Sequence, residues 1–253
     1  MREAAELWAI AIGDIEDDLR SRHVELGGRL VESPGMIGLL NSPIPYPCYV
    51  HADEADLRNV LPRLLNSRPV PRVHLISSHP DRDLLEESGW QVQQEVTQMV
   101  LPRSAASSTC PSIDGVTFEE LEIPEGIASF YAGMTAGFGD ALGDAEEELP
   151  REVIATQGIH LFVARDDADQ VIGTAGARRR SGGANLFAIS VVPGHRDRGI
   201  GSALTALASL AMFETGACSI QLYATEEGHR VYERAGFGVA GHWAFYRPTS
   251  QPR

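Results

Sequence analysis

The sequence has too few cysteines for a disulfide framework and too little basic charge for a nucleic-acid partner. Its three cysteines, Cys48, Cys110 and Cys218, are widely spaced and form no zinc-binding pattern. The formal net charge is −14 at pH 7, whereas a phosphate backbone requires a basic surface. The negative charge suits a cationic substrate such as an amine, or serves only solubility. These features predict a protein of the reducing cytoplasm that binds no nucleic acid.

Apolar runs of membrane-spanning length are also missing. No stretch approaches about eighteen uninterrupted apolar residues, and the acidic N-terminus lacks the basic start and apolar core of a signal peptide. The histidines show no metal-binding spacing such as His-Glu-x-x-His, and the Gly-x-Ser-x-Gly motif of serine hydrolases is absent. The sequence therefore predicts a cytoplasmic protein with no membrane contact and no metal.

A short polar segment divides the chain. Residues 104–112 are small and polar and include a proline, which is the composition of a linker. The segment separates residues 1–103 from residues 113–253, and both lengths are ordinary for domains. We therefore predict two domains joined by this linker.

The hydrophobic pattern of residues 113–253 predicts a mixed α/β sheet flanked by helices. The predicted strands are 116–121, 160–164, 171–178, 186–192, 219–223, 237–240 and 243–246, and the predicted helices are 125–138, 199–216 and 228–235. The strand at 186–192 is almost wholly apolar, which is typical of a central strand covered on both faces. Residues 140–150 are acidic and predict a loop or a short helix.

The end of the first domain repeats the end of the second. At a constant offset of 147 residues, Gly89 falls on Gly236 and Trp90 on Phe237. Other apolar pairs in the same register are Leu75 with Leu222, Leu84 with Val231, and Met99 with Tyr246. The first domain accordingly has predicted strands at 48–50, 73–77 and 91–101 and predicted helices at 57–66 and 81–88. The matches favour a duplication, although any strand–helix–glycine–strand unit resembles another.

A glycine-containing turn follows the predicted central strand. Residues 196–201 read Arg-Asp-Arg-Gly-Ile-Gly and lead into a helix. The first turn of a helix has unpaired N–H groups and the positive end of the helix dipole, so it binds anions. Gly199 and Gly201 let a pyrophosphate lie against the backbone, and Arg196 and Arg198 add positive charge at the rim. The pattern is neither a P-loop nor a Rossmann fingerprint, because the lysine of the first and the third glycine of the second are missing.

Tyr232 lies on the predicted helix after the next strand. A phenol at hydrogen-bonding distance can deliver a proton to a departing thiolate. The alternative interpretation is that Tyr232 is a core aromatic residue that packs against Phe237. The residues alone leave both open.

Taken together, these motifs resemble the GNAT superfamily of acyl-CoA N-acyltransferases over about residues 114–250. The matching segments are Val191-Val192-Pro193, the turn at 196–201, and Tyr232-Glu233-Arg234-Ala235-Gly236-Phe237. The resemblance implies a splayed sheet, in which the strand ending at Val192 separates from the strand at 220–223. The pantetheine of CoA would lie in that gap, bonded to the backbone of Val191.

The resemblance also implies the chemistry. Acetyl-CoA would be the co-substrate, Tyr232 the general acid, and the acetyl group would pass directly to a primary amine of a small molecule or peptide. The residues implied to bind CoA are Val191, Val192, Arg196, Arg198, Gly199, Ile200, Gly201, Ser202 and Thr225. Thr225 stands where family members often have asparagine.

The general base is missing from its usual place. Family members often carry a glutamate on the third strand, and the equivalent here is Asn185, which cannot accept a proton. The open candidates are Glu226, Glu227, the acidic run 146–148 and His160, or proton loss to water. The missing base favours an alternative function, a non-catalytic CoA-binding sensor or scaffold, whereas the retained Tyr232 opposes it.

The first domain lacks the corresponding motifs. At the same offset Gly199 and Gly201 fall on Ala52 and Glu54, and Tyr232 falls on Leu85. Neighbouring acidic residues would repel a pyrophosphate. We therefore predict a truncated GNAT-like domain without a CoA motif, which covers a sheet edge, shapes the acceptor pocket or mediates a homodimer. In the second domain Arg178–Arg180 either contact the adenosine phosphate or form an exposed hairpin tip.

Overall fold

The computed structural model describes residues 2–42, 47–106, 109–139 and 158–249 and divides the chain into two compact units. The first unit contains the residues up to Gln98, Tyr223–Glu227 and the residues from Val239 onward. The second contains Met99–Leu222 and Gly228–Gly238. The units therefore differ from the predicted division into 1–103 and 113–253, because the end of the chain belongs to the first unit. The predicted boundary after residue 103 does not separate the two units, because residues 103 and 104 both lie in the second unit.

The helices and strands of the described residues follow in chain order. They are α1 (Arg2–Leu26), β1 (Arg29–Ser33), β2 (Met36–Leu40), β3 (Cys48–Val50), α2 (Leu57–Leu65), β4 (Val73–Ile76), α3 (Arg82–Glu87), β5 (Trp90–Pro102), β6 (Val116–Leu121), α4 (Ile127–Phe138), β7 (Ile159–Asp166), β8 (Val171–Arg179), β9 (Ala184–Val191), α5 (Ile200–Glu214), β10 (Ser219–Ala224), α6 (Glu226–Arg234) and β11 (Gly238–Pro248). The predicted loop or helix at 140–150 lies outside the described residues.

The first unit is built on a sheet in the order β1-β2-β3-β4-β11-β5. The β3 and β4 strands are parallel, and β11 pairs antiparallel to β4, with Trp243 opposite Ile76. The prediction of two short final strands was wrong, since β11 is one continuous strand. Gly241 lies between the two predicted strands, and a Cβ there would lie 2.3 Å from the ring of Trp8. Tertiary packing, and not a turn, explains this glycine.

The helix α1 and the strands β1 and β2 were missed by the sequence prediction. Three apolar side chains of α1, Ile12, Ile15 and Leu19, recur at helical spacing and are buried against Tyr49 and Trp243. The many acidic residues between them conceal this stripe in the sequence. This apolar face nevertheless packs α1 against the sheet of the first unit.

The second unit has a sheet in the order β10-β9-β8-β7-β6. The β9 and β10 strands are parallel, and the other neighbours are antiparallel. Both α4 and α5 pack against β8 and β9. The predicted helices and strands of this unit are confirmed to within about two or three residues, because apolar runs bounded by glycine and proline mark them clearly.

The two copies of the repeat have matching elements. In each copy a helix ends at a glycine in the left-handed region, Gly89 with φ +89° and Gly236 with φ +92°, and a long strand follows. In the first copy, Leu85 is fully buried, and Asp56 caps α2 by accepting a hydrogen bond from the amide of Asn59. The acidic turn before α2 is thus used for helix capping.

Candidate functional site

A β-bulge interrupts the central strands of the second unit. The β8–β9 register runs from Thr174 opposite Ser190 to Gly176 opposite Phe187, so β9 has one extra residue at this point. Ala188 lies in the bulge with φ +49°, an uncommon conformation for a residue with a side chain. The buried Thr174 hydroxyl donates to the carbonyl oxygen of Ala188 at 2.8 Å and lies 2.9 Å from the Ser190 hydroxyl.

One side of β9 is open beyond its first two residues. Within the described residues, β9 and β10 pair only at Ala184 with Ile220 and at Asn185 with Gln221. The Asn185 side chain donates to the carbonyl oxygen of Gln221 at 3.3 Å, at the point where the pairing ends. The backbone from Leu186 to Val191 therefore has no β10 partner. An open strand side inside a sheet can bind an extended ligand through main-chain hydrogen bonds.

The open strand leads directly into the glycine turn. A 3₁₀ turn at Pro193–His195 follows β9, and Asp197 and Gly199 then have positive φ angles of 62° and 84°. The first intrahelical bond of α5 runs from the amide of Ala203 to the carbonyl oxygen of Gly199 at 3.0 Å. The amides of the first turn before Ala203 thus point out of the helix as potential anion donors.

The two glycines of the turn have different roles. Gly199 requires the left-handed region of backbone conformation, which few other residues adopt. Gly201 does not, and a Cβ on Gly201 would contact only the Val191 side chain, at an ordinary 3.6 Å. The protein itself therefore has room for a side chain at 201, which is consistent with a glycine kept for a ligand.

The two arginines of the turn have different partners. Arg196 donates from Nε to the carbonyl oxygen of Val191 at 3.1 Å and from Nη2 to that of Gly137 at 2.9 Å. Arg198 is exposed, and its Nη1 lies 3.1 Å from Nδ1 of His195. The structure thus places both predicted rim charges at the turn but gives Arg196 backbone partners as well.

Tyr232 is buried on α6, with its ring at the edge of Phe237 and the centroids 6.0 Å apart. The predicted core contact with Phe237 is therefore present. Burial also raises the pKa of Tyr232 to about 12. A phenol with this pKa is protonated at neutral pH, as a proton donor must be.

The base candidates have other partners or exposed positions. His160 bonds through Nδ1 to the carboxylate of Glu120 at 2.6 Å, as a cross-strand pair between β6 and β7. Glu226 and Glu227 are exposed in the first turn of α6, where acidic side chains stabilise the helix dipole. The acidic run 146–148 lies outside the described residues.

The remaining predicted residues lie where the strands and helices imply. Val191 and Val192 are half-buried, and the amide of Val192 bonds to the carbonyl oxygen of Ile172 at 2.9 Å. Thr225 is exposed immediately before α6. Arg179 donates to the carbonyl oxygens of Arg180 and Gly183, so it closes the hairpin turn.

Sequence reasoning missed Thr174, Ser190 and Gly137. A Cβ on Gly137 would lie 2.3 Å from Oγ of Ser190, so α4 lies directly on β9 at this position. A polar residue within the apolar stretch 171–177, and the Gly133–Gly137 spacing of a close helix contact, were the available signals.

In the described part of the chain, no cluster of three or more His, Cys, Asp or Glu side chains could hold a metal ion. The three cysteines are free thiols, and burial raises the pKa of Cys48 to about 12. Of the helices in the described ranges, none combines the length and apolar character needed to cross a membrane.

Comparison with known proteins identifies the fold. Residues 157–239 match the family model for the acetyltransferase (GNAT) domain. A GCN5-related N-acetyltransferase from Kribbella flavida is similar at 18% identity and a TM-score of 0.63, over 93% of this chain and 95% of that one. No curated protein sequence matches the chain.

Two further solved structures extend over both halves of the chain. A putative GNAT-family acetyltransferase from Novosphingobium aromaticivorans has 18% identity and a TM-score of 0.54, over 94% of this chain and 99% of that one. A tandem GNAT protein from the clavulanic acid biosynthesis pathway has 12% identity and a TM-score of 0.54, over 88% and 83%. The chain therefore has the GNAT fold, as the sequence motifs predicted, and the matches include its N-terminal half.

Proposed function

We propose that this protein is an N-acetyltransferase, which moves an acetyl group from acetyl-CoA to a primary amine by direct transfer. The observation that supports it best is the open side of β9, which runs from the bulge at Ala188 into the glycine turn before α5. An extended pantetheine chain needs such a strand side, and a pyrophosphate needs the helix N-terminus beside it.

The proposed donor site uses the backbone more than side chains. The amide groups of pantetheine pair with β9 near Val191, and the pyrophosphate accepts hydrogen bonds from the first-turn amides of α5, including those of Gly201 and Ser202. Arg198, exposed at the rim, adds positive charge. Val192, Ile200 and Thr225 are proposed as further CoA contacts.

In the proposed reaction the amine nitrogen attacks the carbonyl carbon of the thioester. The tetrahedral intermediate collapses, the C–S bond breaks, and the CoA thiolate takes the proton of the Tyr232 hydroxyl. The nitrogen loses one proton to solvent, and solvent returns a proton to Tyr232. The products are an amide and free CoA, with no covalent enzyme intermediate. Tyr232 can supply this proton because its hydroxyl is protonated at neutral pH.

Of the routes that the sequence leaves open, we propose that the amine loses its proton to water. His160 is paired with Glu120, and Asn185 has no proton-accepting group. Without an enzymatic base, only the neutral fraction of the amine reacts. The value of kcat/KM should then rise about tenfold per pH unit below the pKa of the free amine and level off above it.

A second candidate function is a CoA-binding sensor or scaffold without catalysis. The observation that favours it is Asn185, which occupies the position where GNAT family members often have a glutamate as general base. The side-chain amide of Asn185 donates a hydrogen bond to the carbonyl oxygen of Gln221. Such a module would bind CoA at the same turn. It would form no free CoA from acetyl-CoA when amines are present.

The discriminating experiment is acetyl transfer to a panel of primary amines, with the acetylated product measured by mass spectrometry. The chain contains no lysine, so its own side-chain amines cannot act as acceptors. A thiol reagent is unsuitable because Cys218 is exposed. The enzyme should acetylate at least one amine class, whereas CoA binding without transfer to any amine would establish the second function.

The Tyr232→Phe variant tests the acid. Phenylalanine keeps the ring contact with Phe237, so the fold should persist. We expect kcat to fall about a hundredfold with an unchanged Kd for CoA. An unchanged kcat would show that Tyr232 only packs in the core.

A further inference from the structure

We infer that Arg196 is a positioning residue, whose guanidinium fastens the end of α4 to the end of β9, and that the pyrophosphate is attracted by the charge of Arg198. The inference rests on the proposed function, in which this turn binds CoA. The two arginines of the motif therefore have different roles.

The Arg196 guanidinium joins two elements through their backbones. Its Nη2 donates to the carbonyl oxygen of Gly137 in the last turn of α4, at 2.9 Å, and its Nε to that of Val191, the last residue of β9, at 3.1 Å. A guanidinium holds its N–H groups in one rigid plane, so both bonds restrain the same geometry.

The position of this contact favours a cation for a second reason. The last four carbonyl groups of a helix lack intrahelical partners, and the helix dipole makes this end negative. Gly137 lies one residue before the end of α4, which Gly139 caps by donating its amide to the carbonyl oxygen of Thr135. Arg196 therefore places its positive charge on a carbonyl group in the last turn of α4.

The two hydrogen bonds of Arg196, to Gly137 and to Val191, form a clamp between α4 and β9. The absence of a side chain at Gly137 makes this clamp geometrically possible. A Cβ there would lie 2.3 Å from Oγ of Ser190 and 3.3 Å from the amide nitrogen of Val191. The α4 backbone thus reaches the β9 backbone directly, and one guanidinium spans carbonyl groups of both. The clamp holds Val191 at the point where β9 enters the CoA-binding turn.

Arg198 has a different environment two residues later. Both arginine side chains are exposed, but the partner of Arg198 among the described residues is the ring nitrogen of His195, at 3.1 Å, and not a backbone carbonyl group. Its other N–H groups are therefore available to an anion bound at the turn. A point charge suffices for attraction, so lysine should replace Arg198 but not Arg196.

The experiment compares Arg196→Lys, Arg196→Met, Arg198→Lys and Arg198→Met in the full-length protein. Calorimetry gives the Kd for CoA at low and high NaCl, and hydrogen exchange without ligand follows the amides of the last turn of α4. Both Arg196 variants should weaken CoA binding about tenfold, the loss expected for a hydrogen bond with a charged donor. Arg196→Lys, which keeps the charge, should also keep the salt dependence of the wild type. Both Arg196 variants should also speed exchange of the Gly139 amide.

The Arg198 variants give the opposite pattern. Arg198→Lys should bind CoA nearly as the wild type does, and Arg198→Met should bind more weakly and with less salt dependence, while exchange in α4 stays unchanged. Wild-type affinity in Arg196→Lys, or unchanged α4 exchange in both Arg196 variants, would overturn the inference. Failure of the wild type to bind CoA would instead refute the proposed function, and the exchange result would then decide the clamp alone.

Discussion

The hydroxyl of Thr174 donates a hydrogen bond of 2.8 Å to the carbonyl oxygen of Ala188. This bond fixes the bulged residue of β9 in its left-handed conformation. Beyond the two pairs at Ala184 and Asn185, β9 has no pairing with β10 in the described structure. The buried Thr174 side chain thus supports the bulge that lies within the open part of β9, on which the proposed CoA site depends.

Replacing Thr174 with valine should test that dependence. Valine has the same shape but leaves the Ala188 carbonyl group without its donor, which costs about 1–3 kcal/mol when the group is buried. We expect a lower free energy of unfolding in urea and a reduced kcat, whereas Thr174→Ser should retain both. If Thr174→Val matches the wild type in both measurements, the bond does not maintain the bulge.

Gly137→Ala should destabilise the protein, although alanine usually stabilises a helix relative to glycine. The new methyl group would lie 2.3 Å from Oγ and 2.6 Å from Cβ of Ser190, and overpacking of this kind costs about 1–3 kcal/mol. Adding Ser190→Gly removes the opposing atoms and should restore part of the loss. A stabilised Gly137→Ala variant would contradict the close approach of α4 to β9.

Ionisation of Tyr232 should lower the free energy of unfolding at high pH. The folded protein raises the phenol pKa from 10.0 to about 12, so it holds the proton more tightly than the unfolded chain does. The stabilisation that follows from the raised pKa is fully present below about pH 10 and is lost as the pH rises through about 12. Relative to Tyr232→Phe, the wild type should lose about 1 kcal/mol between pH 8 and 11.

The matched variant isolates this effect. Cys48 also has a raised pKa and acts with the same sign, but both proteins contain it, so it cancels in the comparison. Urea unfolding at the two pH values gives the difference directly. A difference that does not change with pH would mean that the phenol is not perturbed by burial.

Separate expression of residues 1–103 and 104–253 should give no stably folded fragments. The first fragment lacks β11, whose Trp243 and Tyr246 are almost fully buried in the first unit. The second carries β11 without β4, its partner strand. Cooperative thermal unfolding of either fragment alone would show that the predicted linker is a true domain boundary.

Much of the second unit could be predicted from the sequence because its signals are local. Apolar runs, turn glycines and the Arg196–Gly201 motif locate the strands, α5 and the candidate anion site without tertiary information. The continuity of β11 could not be predicted, because Gly241 is explained by the ring of Trp8, far away in the chain. Nor could the partners of Arg196, since they depend on the bulge at Ala188 and on how closely α4 approaches β9.

The central claim is that the turn before α5 binds the pyrophosphate of CoA, and Gly201→Glu tests it most directly. A Cβ at 201 would meet only Val191, at 3.6 Å, so the variant should fold, which its free energy of unfolding will verify. Gly13→Glu adds the same charge on α1, where a Cβ would have no neighbour within 4 Å, and serves as the control.

Calorimetric titration of CoA into the three proteins gives the decisive comparison. The wild type and Gly13→Glu should bind CoA with similar affinity. Gly201→Glu should bind at least about a hundredfold more weakly, because a carboxylate would occupy the position of the pyrophosphate. Equal affinity of a folded Gly201→Glu variant and the wild type would contradict the assignment of the site.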